Sequence, residues 1–120
     1  MSICNLEYIK SITPGSHSFS IKIIELFLTD TPLKVEELKT AILEEKWQLT
    51  YEIAHKIKPG VLMLGLPSDN SDALLKIMKF AKDDLKQNQI KSLFNSFIKN
   101  IDLIYKDLEN SLVELKKLCN

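Results

Sequence analysis

Apolar residues recur every three or four positions along most of this chain, and no stretch alternates apolar and polar residues as a half-buried strand would. The pattern therefore predicts amphipathic helices. The first is a short helix over residues 6–12, followed by a turn at Thr13-Pro14-Gly15. Ser16 then stands where the N-cap of a second helix belongs.

The second helical segment contains a proline at position 32. Its apolar positions continue on both sides of that proline, at Phe19, Ile23, Leu26, Phe27, Leu38 and Ile42. Pro32 either kinks one long helix or separates two helices. We favour the kinked helix, because Asp30-Thr31-Pro32 lacks the additional turn residues that a loop would need.

Three further helices are predicted after these. The third runs from about Lys46-Trp47 to about Gly65, before a break rich in capping side chains at Pro67-Ser68-Asp69-Asn70. The fourth begins near Ser71. The last is one regular segment with apolar residues at 90, 93, 94, 97, 101, 104, 108, 112, 115 and 118. Short connections between four main helices predict an all-α fold, an antiparallel (up-down-up-down) four-helix bundle with a short additional N-terminal helix.

The composition narrows the class of partner. The 120 residues fit a single domain, residues 1–120. Sixteen basic side chains, all of them lysine, balance sixteen acidic ones, so net charge predicts no general attraction to nucleic acid or acidic membranes. Because the chain has no arginine, a bidentate arginine clamp on phosphate is excluded, and any phosphate contact must come from lysine or backbone N–H groups.

The two cysteines and the N-terminal stretch indicate a cytoplasmic protein. Cys4 and Cys119 are expected to be free, reduced thiols, since no spacing argues for a disulfide. Glu7 interrupts the first apolar stretch and no basic segment precedes it, which is unlike a signal peptide. No apolar run approaches the ~18 residues of a membrane-spanning helix.

The third helix carries one histidine, His55, opposite its apolar stripe. At 100° per residue, the apolar side chains at positions 53, 57, 61 and 64 lie between about 160° and 240° from His55 around the helix axis. A histidine on a core face is usually structural. His55 should instead be exposed in the middle of a helix, where packing does not require it.

The same helix face holds several other residues of interest. Lys58 follows His55 at i+3 and Tyr51 precedes it at i−4, so both share its surface. Pro59 and Leu62 follow at i+4 and i+7. Pro59 has no N–H for the His55 carbonyl, so a kink is expected to begin at the histidine.

Pro59, Gly60 and Gly65 are unexpected in a helix, because each lowers helix stability. Gly60 and Gly65 remove side-chain bulk near the histidine. The expected reason is close approach of another backbone, either a neighbouring helix or a docking partner.

This stretch resembles the active helix of histidine-containing phosphotransfer (HPt) domains. There a phospho-accepting histidine is followed by a lysine three residues on and a glycine ten residues on. Here those residues are His55, Lys58 and Gly65. The main departure is Pro59-Gly60, where most members have Gly or Ser followed by a small residue.

The resemblance extends over roughly residues 6–90. The segment from Gly15 to Phe19 is similar to the Gly-Asp-x-x-Phe pattern that begins the family's second helix, with Ser16 in place of Asp. The segment Ile24-Glu25-Leu26-Phe27-Leu28, Pro32 and Leu38 also resemble the family's pattern. The last helix matches only as a generic amphipathic helix.

The resemblance implies a carrier in a two-component, multistep phosphorelay. Nε2 of His55 would accept a phosphoryl group from a receiver-domain aspartate and pass it to another receiver aspartate. Lys58 would pair with the phosphoryl oxygens, and Lys56 would add to the positive field. The implied protein is a phosphocarrier and not an enzyme with its own turnover. It would hold no cofactor, since Mg²⁺ is expected on the partner receiver.

The resemblance also implies the partners, which are the receiver domains of a hybrid histidine kinase and of a response regulator. The carrier would be a monomer and would bind neither nucleic acid nor membranes. Some HPt domains orient the histidine with a polar side chain from the next helix, for which Asp72, Lys76 and Lys79 are equal candidates. Tyr51, Leu62 and Leu66 either form an apolar docking patch or, for the two leucines, pack against helix four or the N-terminal helix.

Two other classes remain as alternatives. The first is a helical bundle that binds a partner without accepting phosphate, and the second is a bundle that holds a ligand or metal. His17 is expected to be a solvated first-turn residue, and the histidines and cysteines have no metal-ligand spacing. Met1 and a complete last helix favour a free-standing protein, and the Lys-only, Ile- and Asn-rich composition favours a bacterial source.

Overall fold

Helices make up the regular structure of the computed structural model, which describes residues 3–12, 15–83 and 86–119, with no strand among them. The prediction of an all-α fold is confirmed. Six α-helices and one 3₁₀ turn follow in the described ranges: α1 Glu7–Ile12, α2 His17–Leu43, α3 Trp47–Met63, α4 Ser68–Asp83, the 3₁₀ turn Gln87–Gln89, α5 Ile90–Phe97 and α6 Ile101–Cys119.

The long second helix runs through its proline, as the favoured interpretation predicts. Pro32 lies inside α2, which is 27 residues long. Ser16 occupies the N-cap position with an extended backbone, but its side chain makes no capping hydrogen bond. Thr13 and Pro14 of the predicted turn lie outside the described residues, whereas Gly15 has the positive φ of +80° that suits a turn.

The fourth helix begins three residues earlier than predicted. The backbone N–H groups of Asn70 and Ser71 donate to the carbonyl of Pro67 at 3.0 and 3.1 Å, so the helix already begins at Ser68. A break before α4 is thus present as predicted, but Ser68, Asp69 and Asn70 belong to the helix and not to the break. Pro67 alone precedes the helix, a position that a residue without an N–H tolerates.

The predicted single last helix is also wrong, because the chain turns between α5 and α6. Asn100 has a φ of +59°, a left-handed conformation that Asn tolerates better than most residues. The buried side chain of Asn70 donates to the carbonyls of Phe97 and Lys99 at 2.7 and 2.9 Å. Those two bonds satisfy carbonyls at the end of α5 that the interrupted helix leaves without partners.

The core is apolar and lies between the long helices. α3 packs against α2 and α4, α4 packs against α5, and α2 packs against α6. The largest fully buried side chains are Ile9, Ile24, Leu38, Ile42, Ile57, Leu64, Leu74, Ile77, Ile90, Phe97, Ile104 and Leu108. α3 therefore has neighbours on two sides and leaves a third side to solvent.

The segment before α1 joins two distant parts of the chain. The N–H of Asn5 donates to the carbonyl of Gly65 at 2.8 Å, and the N–H of Cys4 donates to Oδ2 of Asp107 at 3.0 Å. These bonds attach the N-terminal segment to the end of α3 and to α6. In the part of the chain that the structure describes, no helix has both the length and the apolar character to cross a membrane.

Candidate functional site

His55 is exposed in the middle of α3, as the helical periodicity predicts. The apolar stripe on the other side of the helix is buried: Ile53 is 5% exposed, Ile57 2%, Val61 1% and Leu64 0%. The imidazole therefore lies on a surface that packing does not use.

Hydrogen bonds within α3 and at its end fix the position of that surface. Thr50 Oγ1 donates to the carbonyl of Lys46 at 2.8 Å in the first turn. After Met63 the N–H of Gly65 donates to the carbonyl of Leu62, and the N–H of Leu66 donates to the carbonyl of Val61. This pair of bonds is a Schellman motif, which needs a left-handed residue at the position of Gly65. α3 thus continues past Pro59 to Met63, and the left-handed Gly65 completes the turn that ends it.

Two side chains lie close to the histidine in a way that sequence spacing only partly predicts. The Tyr51 ring lies 5.8 Å from the His55 imidazole, centroid to centroid, at an interplanar angle of 37°. On α4, Nζ of Lys82 lies 5.7 Å from the centroid of the Tyr51 ring. Tyr51 was expected beside His55, whereas Lys82 was missed. The signal for it was the short connection between α3 and α4, which brings the end of α4 beside the start of α3.

The two predicted phosphate-facing lysines occupy different surroundings. Lys58 is half-buried and Lys56 is exposed. Lys56 lines the groove between α2 and α3 together with Ile53 and Ala41. Neither ammonium group forms an ion pair within the residues that the structure covers. Both charges are therefore available to a negatively charged group that approaches α3.

Gly60 and Gly65 are explained by contacts inside the chain. A Cβ at Gly60 would lie 2.7 Å from Cδ2 of Phe27 on α2. A Cβ at Gly65 would overlap the backbone carbonyl of Asn5, and Gly65 also has a φ of +59°. The predicted close approach of another backbone is confirmed at Gly65, whereas at Gly60 the neighbour is a side chain of the adjacent helix α2. Both neighbours belong to the same chain.

The predicted apolar patch is only partly on the surface. Leu62 is 47% exposed and Pro59 is exposed, but Leu66 is 6% exposed and belongs to the core. Leu66 as a docking residue is therefore wrong, because the Schellman turn directs it inward. A further apolar groove of about 280 Å³ follows the α2–α3 contact and is lined by Leu26, Pro59 and Met63 among others.

The three candidate residues of α4 separate into two groups. Asp72 and Lys76 line a cleft with Leu93 and Ser96 of α5, so they lie on the α5 side of α4. Lys79 is exposed and lies one turn before Lys82, the residue that contacts Tyr51.

The other titratable candidates form no second site. In residues 3–12, 15–83 and 86–119, no group of three or more His, Cys, Asp or Glu could hold a metal ion. Cys4 is a free, buried cysteine, and burial together with the neighbouring Asp107 raises the pKa of its thiol to about 12. The thiol is therefore protonated and unreactive at neutral pH. The side chain of Cys119 is not among those that the structure describes.

Comparison with known proteins adds no relative to this picture. No protein-family profile, curated protein or solved structure matches the chain. The functional assignment therefore follows from the geometry around His55 and from the sequence pattern in which it lies.

Proposed function

We propose that this protein is a histidine phosphotransfer protein of a multistep phosphorelay, with His55 as the phospho-accepting residue. The observation that carries the proposal is an exposed imidazole in the middle of a packed helix, with Lys58 one turn further on. The HPt-like spacing of His55, Lys58 and Gly65 supports the same assignment.

The proposed reaction needs only a free lone pair on the imidazole. A solvent-exposed neutral imidazole has one on the nitrogen that carries no proton. In the first transfer Nε2 forms a bond to phosphorus, and the bond from phosphorus to the receiver's aspartate oxygen breaks with its electron pair. The Nδ1 proton can then leave to solvent. In the second transfer another receiver aspartate attacks phosphorus, the N–P bond breaks with its electron pair returning to Nε2, and Nδ1 takes a proton back from solvent.

Lysine charge and positioning are the protein's contribution to this transfer. In-line phosphoryl transfer depends on orientation and on neutralising the oxygens more than on acid–base chemistry. Lys58 pairs with the phosphoryl oxygens and Lys56 strengthens the positive field. Mg²⁺ belongs to the receiver. The protein is a carrier without turnover of its own, and His55 is in turn acceptor and donor.

The surface beside His55 suits a receiver domain. Leu62 and Pro59 lie on the histidine side of α3, and the groove towards α2 adds Leu26, which is 47% exposed. Docking sites between proteins combine an apolar core with polar groups at the rim, so exposed apolar side chains beside polar ones suit such a surface. Tyr51 and Leu62 are the docking residues of the predicted patch. Lys79, which lies one turn before Lys82 on α4, is the candidate from that helix for orienting His55.

We propose an up-down-up-down bundle with this function. Its first three helices are α2, α3 and α4, and α5 and α6 together form its last helix, which is interrupted. This arrangement is supported by the packing of α2 on α3, α3 on α4, α4 on α5, and α2 on α6. We further propose a cytoplasmic bacterial monomer that binds receiver domains and neither nucleic acid nor membranes.

Transfer from a phosphorylated receiver tests the proposal. Wild type should acquire an acid-labile phosphate, and His55→Gln should acquire none. The free energy of unfolding of His55→Gln should stay within about 0.5 kcal/mol of wild type, because the side chain is exposed. His17→Gln, at the other histidine of the chain, is the matched control and should be labelled normally.

The lysine variants separate the two charges. Lys58→Ala should slow transfer about tenfold by removing a charge-assisted contact. Lys56→Ala should have a smaller effect. Label on His55→Gln, or no label on wild type with any kinase–receiver pair, would contradict the phosphocarrier assignment. Tight receiver binding without label would favour the non-catalytic binding module instead.

A further inference from the structure

Three side chains from two helices form a stack that ends at the candidate phospho-acceptor. Lys82 of α4 lies over the Tyr51 ring at 5.7 Å, and the Tyr51 ring lies 5.8 Å from the His55 imidazole. Tyr51 is half-buried, whereas His55 and Lys82 are exposed. Tyr51, in the middle of the stack, is thus the residue whose side chain is partly packed against the rest of the protein.

Helix geometry explains why the imidazole meets this ring. Side chains on an α-helix lean towards the N-terminus, over the residue one turn earlier. His55 therefore leans onto position 51, where the chain has an aromatic residue. An aromatic face also attracts a cation, so Lys82 holds the Tyr51 ring from the α4 side.

We propose that Tyr51 is a positioning residue for His55, and that Lys82 fixes the Tyr51 ring from the neighbouring helix. The stack restricts the imidazole to one orientation, in which the reacting nitrogen, Nε2, faces solvent. The consequence for phosphoryl transfer rests on the proposed function, whereas the restriction of the ring does not.

Restriction of the ring has opposite effects on two kinds of reaction. Transfer from a docked protein needs the nitrogen in line with phosphorus, so a freely rotating ring reacts more slowly. A small reagent approaches from any direction, so the same ring reacts faster when Tyr51 no longer shields it. Loss of nucleophilicity would lower both rates, so it would not change them in opposite directions. Loss of folding would change them in opposite directions as well, and is therefore checked by the circular dichroism of each variant.

The small reagent is diethyl pyrocarbonate, which carbethoxylates a neutral imidazole nitrogen and releases ethanol and CO₂. Mass spectrometry gives the rate at His55, and the rate at His17 in the same sample is the internal reference. Tyr51→Leu should raise the His55 rate about twofold, the size expected when a side-chain pair one turn apart is lost. Tyr51→Phe keeps the ring and should restore the wild-type rate.

A spectroscopic measurement reports the orientation directly. The two three-bond couplings between Hα and the Hβ protons of His55 should differ in wild type, because one rotamer predominates. They should converge in Tyr51→Leu and stay apart in Tyr51→Phe. Transfer from a phosphorylated receiver at saturation should fall about three- to tenfold in Tyr51→Leu, in addition to any rise in the half-saturating concentration that the docking role of Tyr51 causes.

Lys82 has a matched control in Lys86, which lies beyond the end of α4 at the start of the 3₁₀ turn. Nζ of Lys86 lies 5.5 Å from the Phe80 ring, in the same kind of contact but outside the stack. Lys82→Met should produce the Tyr51→Leu effects at about half the size, whereas Lys86→Met should leave the His55 couplings and the carbethoxylation rate unchanged.

The inference is overturned if Tyr51→Leu leaves the His55 couplings and the carbethoxylation ratio at their wild-type values. It is also overturned if only the half-saturating concentration rises, since Tyr51 would then act in docking alone. If wild type accepts no phosphate, the proposed function fails, but the couplings and the carbethoxylation ratio still decide whether Tyr51 positions the ring.

Discussion

The middle of α3 and the connection from α3 to α4 differ in almost every physical respect, although fewer than ten residues separate them. Around His55 the side chains are exposed or half-buried, and the contacts are a ring stack and a lysine over one of the rings. Around Gly65 the backbone itself is packed, because Asn5 donates to its carbonyl and lies where a Cβ would be.

This contrast shows which unusual residues carry chemistry and which carry the fold. The glycines near the histidine are required by Phe27 and Asn5, so they need no partner to explain them. His55 and Lys58 have no such explanation, since neither is needed to fill the core. The candidate site is therefore the part of the helix where packing in the core does not determine the residue type.

The largest predicted effect belongs to the connection. Gly65→Ala should lower the free energy of unfolding by about 3 kcal/mol, because a Cβ there meets the Asn5 backbone and a positive φ disfavours any L side chain. Gly60→Ala should cost about 1 kcal/mol, since the Phe27 ring it meets is a side chain that can shift. Urea unfolding followed by circular dichroism gives both values.

The same two variants test the separation of fold from site. In the folded state of each, His55 should keep its carbethoxylation rate relative to His17. A Gly65→Ala protein with wild-type stability would show that the N-terminal segment does not pack against α3 as the structure has it. A changed His55 rate in Gly60→Ala would show that the two regions are coupled.

A second, smaller effect is expected where α4 meets the end of α5. Asn70→Ala removes the side-chain amide that donates hydrogen bonds to the carbonyls of Phe97 and Lys99. A buried carbonyl without a donor is costly, so the variant should lose about 2 kcal/mol of stability. Asn95→Ala, at an exposed position of α5, is the control and should stay within about 0.5 kcal/mol of wild type. Equal losses in the two variants would contradict the capping role of Asn70.

The sequence predicts the helix that carries the site better than it predicts the helix ends. Helical periodicity alone identifies α3 and the outward direction of His55, because a packed helix buries one face and exposes the other. It misses the turn at Asn100, because apolar residues at 97, 98 and 101 keep the spacing of a continuous helix. In the structure that turn is marked by the left-handed backbone of Asn100 and by the long-range contact from Asn70.

Contacts between elements are the part that a single sequence does not contain. Lys82 and Tyr51 are 31 residues apart, and nothing in local spacing pairs them. Gly60 and Gly65 stand out in the sequence as poor helix formers, yet their partners Phe27 and Asn5 become visible only in the folded chain. Unusual residues can thus be recognised from sequence, but their cause is a tertiary contact.

The last predicted effect is a pH dependence of the free energy of unfolding, which originates in the N-terminal segment that packs against the α3–α4 connection. Burial and Asp107 raise the pKa of Cys4 from 9.0 to about 12. Above pH 9 the unfolded chain gives up this proton while the folded chain keeps it. The contribution of Cys4 to stability is therefore complete below pH 9 and decreases as the pH rises towards 12, by no more than about 1.4 kcal/mol per pH unit for one proton.

Urea unfolding of Cys119→Ser and of Cys4→Ala/Cys119→Ser at pH 7.5, 9 and 10 measures that contribution. Lysine titration and Tyr105, whose pKa burial raises to about 12, act equally in both proteins and cancel in the difference. The difference in unfolding free energy should be constant up to pH 9 and shrink at pH 10. A difference that stays constant would mean that the thiol is hydrated and that the N-terminal segment is not held against Asp107. His55 should not respond in either protein, because its surroundings share no contact with this segment.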